Sequence, residues 1–302
     1  VNQVGQPSAI GTPIAELKID ATLVTKLLAD QHSDLAHLPL LLAEAGWDNV
    51  MFRLGDRLAV RLPRRQLAAT LIEHEQTWLP QLAAHLTLPV PMPYRVGRPT
   101  PDYPWCWSVL PWLAGEAADL APPRASEALR FSAFLRSLHI PAPDNAPRNP
   151  ARGVPLQQRA AAVAERMQRL EQHTHWITPT LKELWQQALN APIDVPPTWL
   201  HGDLHPRNVL VEQGAITGII DWGDLTAGDR ATDLAAIWML FSEPKARQQA
   251  IADCVISSAT LHRAQGWAIF FGVVLLDTGL VDYPRHAAIG ECILQRVIAD
   301  AA

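Results

Sequence analysis

Lysine, cysteine and long apolar runs are all scarce in this chain of 302 residues. The only lysines are Lys18, Lys26, Lys182 and Lys245, the other basic residues are arginines, and no basic run occurs. With a formal net charge of −5, this argues against nucleic acid as a partner, because duplex binding depends on clustered Lys and Arg that displace counterions. Cys106, Cys254 and Cys292 are far apart, odd in number and form no CxxC pair. That excludes a disulfide framework and a cysteine-based zinc site, and a reducing cytoplasm is expected. The longest apolar stretch, Trp267 to Leu276, stops at Asp277 after ten residues, whereas a membrane span needs about 20. No transmembrane helix is expected. The first twenty residues lack a basic segment followed by an apolar one, so no secretory signal is expected there.

What is present is a globular composition, 48% hydrophobic and 18% charged, too apolar for disorder. The length exceeds the usual single domain of roughly 100–200 residues, so two lobes are expected. Asp20 ahead of Leu23, Val24, Leu27 and Leu28 predicts an N-capped amphipathic helix ending near Asp30. The period then changes to alternation through Leu40, Leu42, Val50, Phe52, Leu54, Leu58, Val60 and Leu62, with Gly55-Asp56 as a hairpin turn. Arg65 to His85 returns to helix, with Leu67, Leu71, Trp78 and Leu82 predicted as its buried stripe and Glu75 near its middle.

Tyr94–Gly97 and Cys106–Leu113 predict two more strands, the second leading into the turn Ala114-Gly115-Glu116. The lobe boundary is placed there. Residues 1–108 form the first lobe, 109–115 the hinge and 116–302 a mostly helical second lobe. Helices are predicted over Ala125–His139, Leu156–Gln172 and Thr180–Asn190, separated by a Pro-rich loop at 141–155. Val209–Val211 and Ile216–Ile220 form a hairpin, after which Asp233–Phe241, Lys245–Ser258 and two final segments are helical. Sheet first and helices second make an α+β layout. Trp47, Trp78 and Trp238 lie on apolar stripes.

The densest polar run between apolar walls is Trp199 to Asp233. Asp203 precedes Asn208 by four intervening residues, and Asn208 leads the hairpin that returns Asp221 to the same end of the sheet. Asn208 and Asp221 can converge on a hard cation, which prefers oxygen ligands, while Asp203 is left over. Phosphoryl transfer needs such a set: the metal offsets phosphate charge and a separate carboxylate orients the attacking hydroxyl and takes its proton.

His201-Gly202-Asp203-Leu204-His205-Pro206-Arg207-Asn208, followed by Ile220-Asp221-Trp222-Gly223-Asp224, resembles the signature of the aminoglycoside phosphotransferase family, which shares the protein-kinase-like fold. Gly228-Asp229-Arg230-Ala231-Thr232-Asp233 is similar to the family's following segment, with Arg230 where Pro is usual. The resemblance covers roughly residues 40–240. It implies a bilobal fold, ATP or GTP and Mg2+ as cofactors, and a small hydroxyl-bearing molecule as substrate, with no membrane or protein partner evident. In kinase terms Asp203 corresponds to the catalytic base, and Asn208 and Asp221 to the metal ligands. Ala59 and Arg61 share one strand face, as the Ala and Lys of V-A-I-K do. Arg61 therefore stands where lysine is usual, with Glu75 as its partner. Arg keeps the charge but is planar and bulkier. Trp107 to Trp112, with Val109, Leu110 and Trp112 as its contacts, is expected to be the hinge whose backbone groups hydrogen-bond the adenine.

Other readings of these residues stand beside that one. His205 is equally a group beside the transferred phosphate or a packing residue. His201 reads as a loop brace, and Asp229 and Asp233 as structural. Arg61 with Glu75 could be an ordinary ion pair. His201-x-Asp203-x-His205 could be metal ligands of a hydrolase, although that leaves Asn208 and Asp221 unexplained. The departure at Arg61 and the lack of a glycine-rich loop leave room for a nucleotide-binding pseudoenzyme. Asp277, Asp282 and Glu291 could wall a site for a polycation or form a solvated helical face.

Overall fold

The computed structural model describes residues 14–46 and 48–301; Trp47 lies outside them. Helix α1 (Ala21–Gln31) is capped by Asp20, whose carboxylate accepts from the Leu23 N–H at 3.1 Å. Strands β1 (Leu40–Ala45), β2 (Asn49–Leu54) and β3 (Leu58–Pro63) form an antiparallel meander. Helix α2 (Gln66–Ala83) follows, then β4 (Arg95–Gly97) and β5 (Trp107–Pro111). The sheet order is β1-β2-β3-β5-β4.

Period-2 alternation separates the two faces of this sheet. Val50, Phe52, Leu54, Val60, Leu62, Trp107 and Val109 pack with α1 residues and with Tyr103 and Trp105 into one core. The register opposes Arg61 to both Met51 and Ser108, and Ala59 to Leu110. Those five side chains therefore share the other face. Val109 opposes Val60, and its side chain belongs to the core.

The buried positions of α2 are Ala68, Ala69, Ile72, Glu75, Leu79 and Leu82. Leu67 is 73% exposed, so the predicted stripe is rotated by about one position. The reason is Glu75: its pairing with the buried Arg61 turns the carboxylate inward and carries Leu67 to solvent. Trp78 is half-buried and its ring lies 5.1 Å from that of Trp199 in the second lobe.

The chain crosses between lobes after Pro111. Strand β6 (Glu116–Ala117) already pairs with β8 (Val209–Glu212), which pairs in turn with β9 (Ala215–Ile219). Gly115 adopts φ +123°, and a Cβ there would lie 2.6 Å from the Thr217 hydroxyl, so the crossing needs glycine. Helices α3 (Ala128–Leu138), α4 (Ala160–His173) and α5 (Pro179–Asn190) follow. Strand β7 (Thr198–Leu200) pairs with β10 (Thr226–Gly228), enclosing the segment between them. The remainder comprises α6 (Ala231–Leu234), α7 (Ala236–Leu240), α8 (Pro244–Asp253), α9 (Ser258–Asp282) and α10 (Pro284–Ala299).

The single predicted helix Lys245–Ser258 ends early. Val255 adopts φ +47°, and α9 starts afresh with Ser257 accepting from the Thr260 N–H at 3.0 Å. The apolar stretch Trp267–Leu276 is the middle of this 25-residue helix, which is long and apolar enough to cross a membrane by length and composition alone. Counting an uninterrupted run missed this, because the run stops near Gln265 on one side and at Asp277 on the other, and the charged residues flanking it are Arg263 and Asp277. Both are paired within the lobe, Arg263 with Asp229 at 2.7 Å and Asp277 with Arg166 at 2.5 Å. Most of the apolar window is buried against neighbouring elements, which describes the core helix of the lobe.

Candidate active site

The loop from His201 to Asn208 is anchored from behind by Asp233 of α6, which has no exposed surface. Its carboxylate accepts from the backbone N–H groups of His201 at 2.7 Å and Gly202 at 2.9 Å. His201 is also fully buried. Its Nδ1 accepts from the Asp203 N–H at 3.2 Å, so its proton is on Nε2, which donates to the Ile220 carbonyl at 2.9 Å. Both ring nitrogens are thereby engaged with backbone. This agrees with the loop-brace reading and removes His201 as a metal ligand, so the hydrolase alternative loses half its donor pair. Gly202 adopts φ +85°, and a Cβ there would come within 2.5 Å of the Asp224 carbonyl oxygen.

Asp203 leaves this loop towards the cleft with its side chain 20% exposed. One carboxylate oxygen accepts from Arg152 Nη2 at 2.8 Å, and the other lies 3.4 Å from His205 Nε2. His205 Nδ1 accepts from the Arg207 N–H at 3.2 Å, which leaves the proton on Nε2 facing Asp203. Burial pushes the Asp203 carboxyl up, but Arg152 and then His205 outweigh it and hold the group below the ordinary carboxylate range. Asp224 is displaced the other way, by burial and by the neighbouring charge of Asp203; it accepts from Asn149 Nδ2 at 2.6 Å.

Asn208 is buried and donates from Nδ2 to the Asp203 carbonyl at 2.9 Å, so the amide oxygen is the group left to meet a ligand. Its own carbonyl accepts from the Ile220 N–H at 2.9 Å, tying the end of the loop to the residue before Asp221. The hairpin β8–β9 thus brings Asn208 and Asp221 to one end, as their spacing predicts. Asp221 takes the left-handed conformation, φ +61° and ψ +66°, sparsely populated by non-glycine residues, and its side chain is half exposed.

Arg61 closes the site from the first lobe. It is 5% exposed and donates from Nη1 to Glu75 at 2.5 Å and from Nη2 to Asp221 at 2.5 Å. With the Asn49 amide oxygen turned towards it, Arg61 also donates from Nη2 at 2.9 Å and Nε at 3.1 Å. Burial opposes its charge, but Glu75 and Asp221 hold the guanidinium above its ordinary value. A second contact joins the lobes at Arg207, 3.4 Å from Glu44 on β1. Arg207 also lies 3.0 Å from His286 Nε2. Burial, followed by Arg207, pushes the His286 pKa down to about 4, so this ring is neutral and accepts.

Of the sequence-predicted residues, Asp203, His205, Asn208, Asp221, Arg61 and Glu75 come together at the cleft, and Ala59 and Leu110 share the sheet face above it. The hinge assignments differ in part. The Val109 carbonyl accepts from the Tyr94 N–H at 2.8 Å, and the Trp112 N–H donates to the Arg57 carbonyl at 2.7 Å. Because β5 is an inner strand, these backbone groups are already paired and are not free for a base. Trp112 instead carries the Arg53 guanidinium 4.6 Å above its ring. Arg152, Asn149 and Asp224 escaped the sequence reading. Only Asp224, inside the Ile220–Asp224 motif, had a signal there. A divalent cation fits the donor set, since Asn208 and Asp221 offer oxygen atoms of the hard type it prefers, with one Asp221 oxygen engaged by Arg61.

The sequence model of the phosphotransferase enzyme family, APH, matches residues 40–267. The chain is 34% identical over 70 residues to the uncharacterized protein YcbJ of Bacillus subtilis (strain 168), covering 22% of this chain and 23% of that one. It is 28% identical over 89 residues to an aminoglycoside 3'-phosphotransferase of Escherichia coli, covering 28% and 33%. The chain thus spans about a quarter to a third of the length of these curated relatives. Among solved structures, the GDP complex of aminoglycoside 2'-phosphotransferase-IIIa superimposes with a TM-score of 0.64 at 17% identity, covering 94% of this chain and 100% of that one. The macrolide 2'-phosphotransferase MphH of Brachybacterium faecium gives 0.57 at 19% identity, covering 90% and 97%. At these identities the likeness is one of fold, a bilobal α+β kinase-like architecture.

Proposed function

Because the chain belongs to the APH phosphotransferase enzyme family, we propose that it is a small-molecule kinase that transfers the γ-phosphoryl group of ATP or GTP to a substrate hydroxyl. The observation that carries this reading is the meeting of Asp203, Asn208 and Asp221 at the interlobe cleft, with Arg61 reaching across from the other lobe to Asp221. Asp203 orients the acceptor hydroxyl and takes its proton as the oxygen–phosphorus bond forms and the bond to the nucleoside diphosphate breaks. Its depressed basicity suits orientation over strong proton abstraction, which accords with a loose phosphoryl-transfer transition state. His205, protonated on Nε2 beside Asp203, offers a hydrogen bond to the transferred group. Asn208 and Asp221 would hold Mg2+, which when bound offsets negative charge on the phosphates.

Arg61, set by Glu75, meets the α/β-phosphates in place of a lysine. Arg keeps the charge and adds a planar fork that grips two oxygens at once. Ala59 and Leu110 provide the apolar wall for the base. Its polar edge is left to backbone groups beyond Trp112, because Pro111 has no N–H to donate. The three cysteines are free thiols, as suits a protein of the cytoplasm. The test is nucleotide-dependent thermal stabilisation together with magnesium-dependent ADP release in the presence of hydroxyl compounds. Stabilisation by ATP or GTP with turnover supports the kinase; binding without any turnover across a broad acceptor panel points to the pseudoenzyme.

A further inference from the structure

Resting on the kinase reading, we infer that the acceptor hydroxyl compound carries an anionic group, a carboxylate or phosphate, which Arg152 and Arg159 receive beside Asp203. Arg152 comes from the loop 141–155 and touches the base directly at 2.8 Å. Its guanidinium carbon lies 5.0 Å from the Phe271 ring and 5.9 Å from that of Phe270, and Arg159 lies 5.5 Å from Phe270. The two cations therefore stand over the same aromatic floor, and the Nε atoms of both are buried without a hydrogen-bond partner among the described residues. Arg159 as a whole is only partly buried and has no acidic neighbour, so the outer edge of its guanidinium is open to an anion.

The neighbouring acid on this face is already paired. Arg166 and Arg169 converge on Asp277, the former at 2.5 Å and the latter at 2.7 Å. Asp277, a candidate acidic wall for a polycation, is thus enclosed by two cations with its side chain 12% exposed. Around this face the guanidiniums of Arg152, Arg159, Arg166 and Arg169 meet the carboxylates of Asp203, Asp224, Glu165 and Asp277, and Arg159 is the one of these four cations without an ion-pair partner among the described residues. Burial, then Arg152 and Arg166, push the Arg159 guanidinium below its ordinary value, as expected of a cation lacking an anion. A cationic group placed beside Arg159 would meet a like charge, whereas an anion supplies the partner that Arg159 lacks. An anion on Arg152 also competes for the cation that now holds Asp203, freeing the carboxylate for the acceptor hydroxyl. The reacting hydroxyl is therefore expected within a few bonds of the anionic group.

The test titrates malonate and inorganic phosphate calorimetrically into the full chain whose nucleotide site is saturated with Mg2+ and a non-hydrolysable ATP analogue. Binding to the native protein is expected, weakened roughly tenfold to hundredfold in Arg159→Gln by loss of a charge-assisted contact and restored in part by Arg159→Lys. A preference for malonate assigns the carboxylate, and one for phosphate assigns the phosphate. Equal anion binding by native protein and Arg159→Gln, no binding of either anion, or kanamycin binding in their place overturns the inference. If the ATP analogue itself does not bind, the kinase reading fails separately, and the Arg159 comparison without nucleotide still decides the anion site.

Discussion

Arg61→Met would leave Glu75, which has no exposed surface, without its cation. Removing one partner of a buried ion pair costs about 3–5 kcal/mol, because the remaining charge is left desolvated. The Asp221 pair adds less than about 1 kcal/mol, since that carboxylate is half in water. For a chain of this size each kcal/mol corresponds to roughly 2–4 °C in melting temperature, so the variant should melt roughly 10 °C lower. Arg61→Met combined with Glu75→Leu removes both charges and should recover all but about 1–2 kcal/mol, because apolar replacement of a buried pair is often neutral. Calorimetry gives the melting shift. Denaturation followed by tryptophan fluorescence reports on both lobes, with Trp105 and Trp107 buried in the first and Trp222, Trp238 and Trp267 in the second. Both variants should lose nucleotide affinity by tenfold or more, since a phosphate contact of a charged donor is worth roughly 1.5–3 kcal/mol. The double variant would then be stable yet poor at binding nucleotide. A single variant within about 1 kcal/mol of native stability, or a double variant no better than the single, would refute the buried-pair account. Undiminished nucleotide binding by the double variant would refute the role of Arg61.

Asp203→Asn should lower kcat by roughly 10²–10⁴-fold with the melting temperature little changed, because the side chain is partly solvated; steady-state kinetics beside calorimetry checks both. Gly202→Ala places a Cβ at φ +85° against the Asp224 carbonyl, and the strain of about 1–3 kcal/mol should appear as lower stability together with lower kcat. Native stability with native turnover would show that the loop does not need glycine. Arg152→Gln removes the largest influence that lowers the Asp203 pKa, so the folded-state value rises. The acid limb of the kcat/KM profile, present in the native protein only below the ordinary carboxylate range, should then move to higher pH, and an unmoved limb would exclude Asp203 as the group being titrated.

The catalytic segment was the most legible part of the chain, because its chemistry lies in one contiguous run and its spacing is imposed by a single loop and hairpin. Arg61 and Glu75 were legible for a related reason: strand alternation fixes which face Arg61 takes, and one helix delivers Glu75. Val109 was not. Trp107, Ser108, Val109 and Leu110 are apolar or small on both faces, so period 2 does not choose between them, and only the pairing of Val60 with Val109 places the side chain in the core. The face of α2 was displaced for the opposite reason, since a hydrophobic stripe takes no account of a buried carboxylate. Arg152 had no local signature at all. Its contact with Asp203 spans 51 residues and arises because the loop 141–155 is held against β10, where Asn149 and Pro147 bond to Thr226 and Ala227.

Both carboxylates that phosphoryl transfer would use are held by arginines from outside their own loops, Asp221 by Arg61 and Asp203 by Arg152. A lysine at position 61 has one ammonium, with donors radiating from a single nitrogen, whereas the guanidinium reaches Glu75 from one arm and Asp221 from the other. The substitution of Arg for Lys is therefore a change in how many acids one cation can join, and it links α2 to Asp221 across the lobes. Ligands would act on these pairs in opposite halves of the cleft: nucleotide phosphates compete with Asp221 for Arg61, and an acceptor anion competes with Asp203 for Arg152. Each substrate would release the carboxylate nearest to it, so full exposure of the catalytic pair requires both substrates to be present. That ordering would make acceptor-free ATP hydrolysis slow relative to transfer, a ratio measurable as ADP release with and without acceptor, and Arg152→Gln should raise the acceptor-free rate by removing the contact that restrains Asp203.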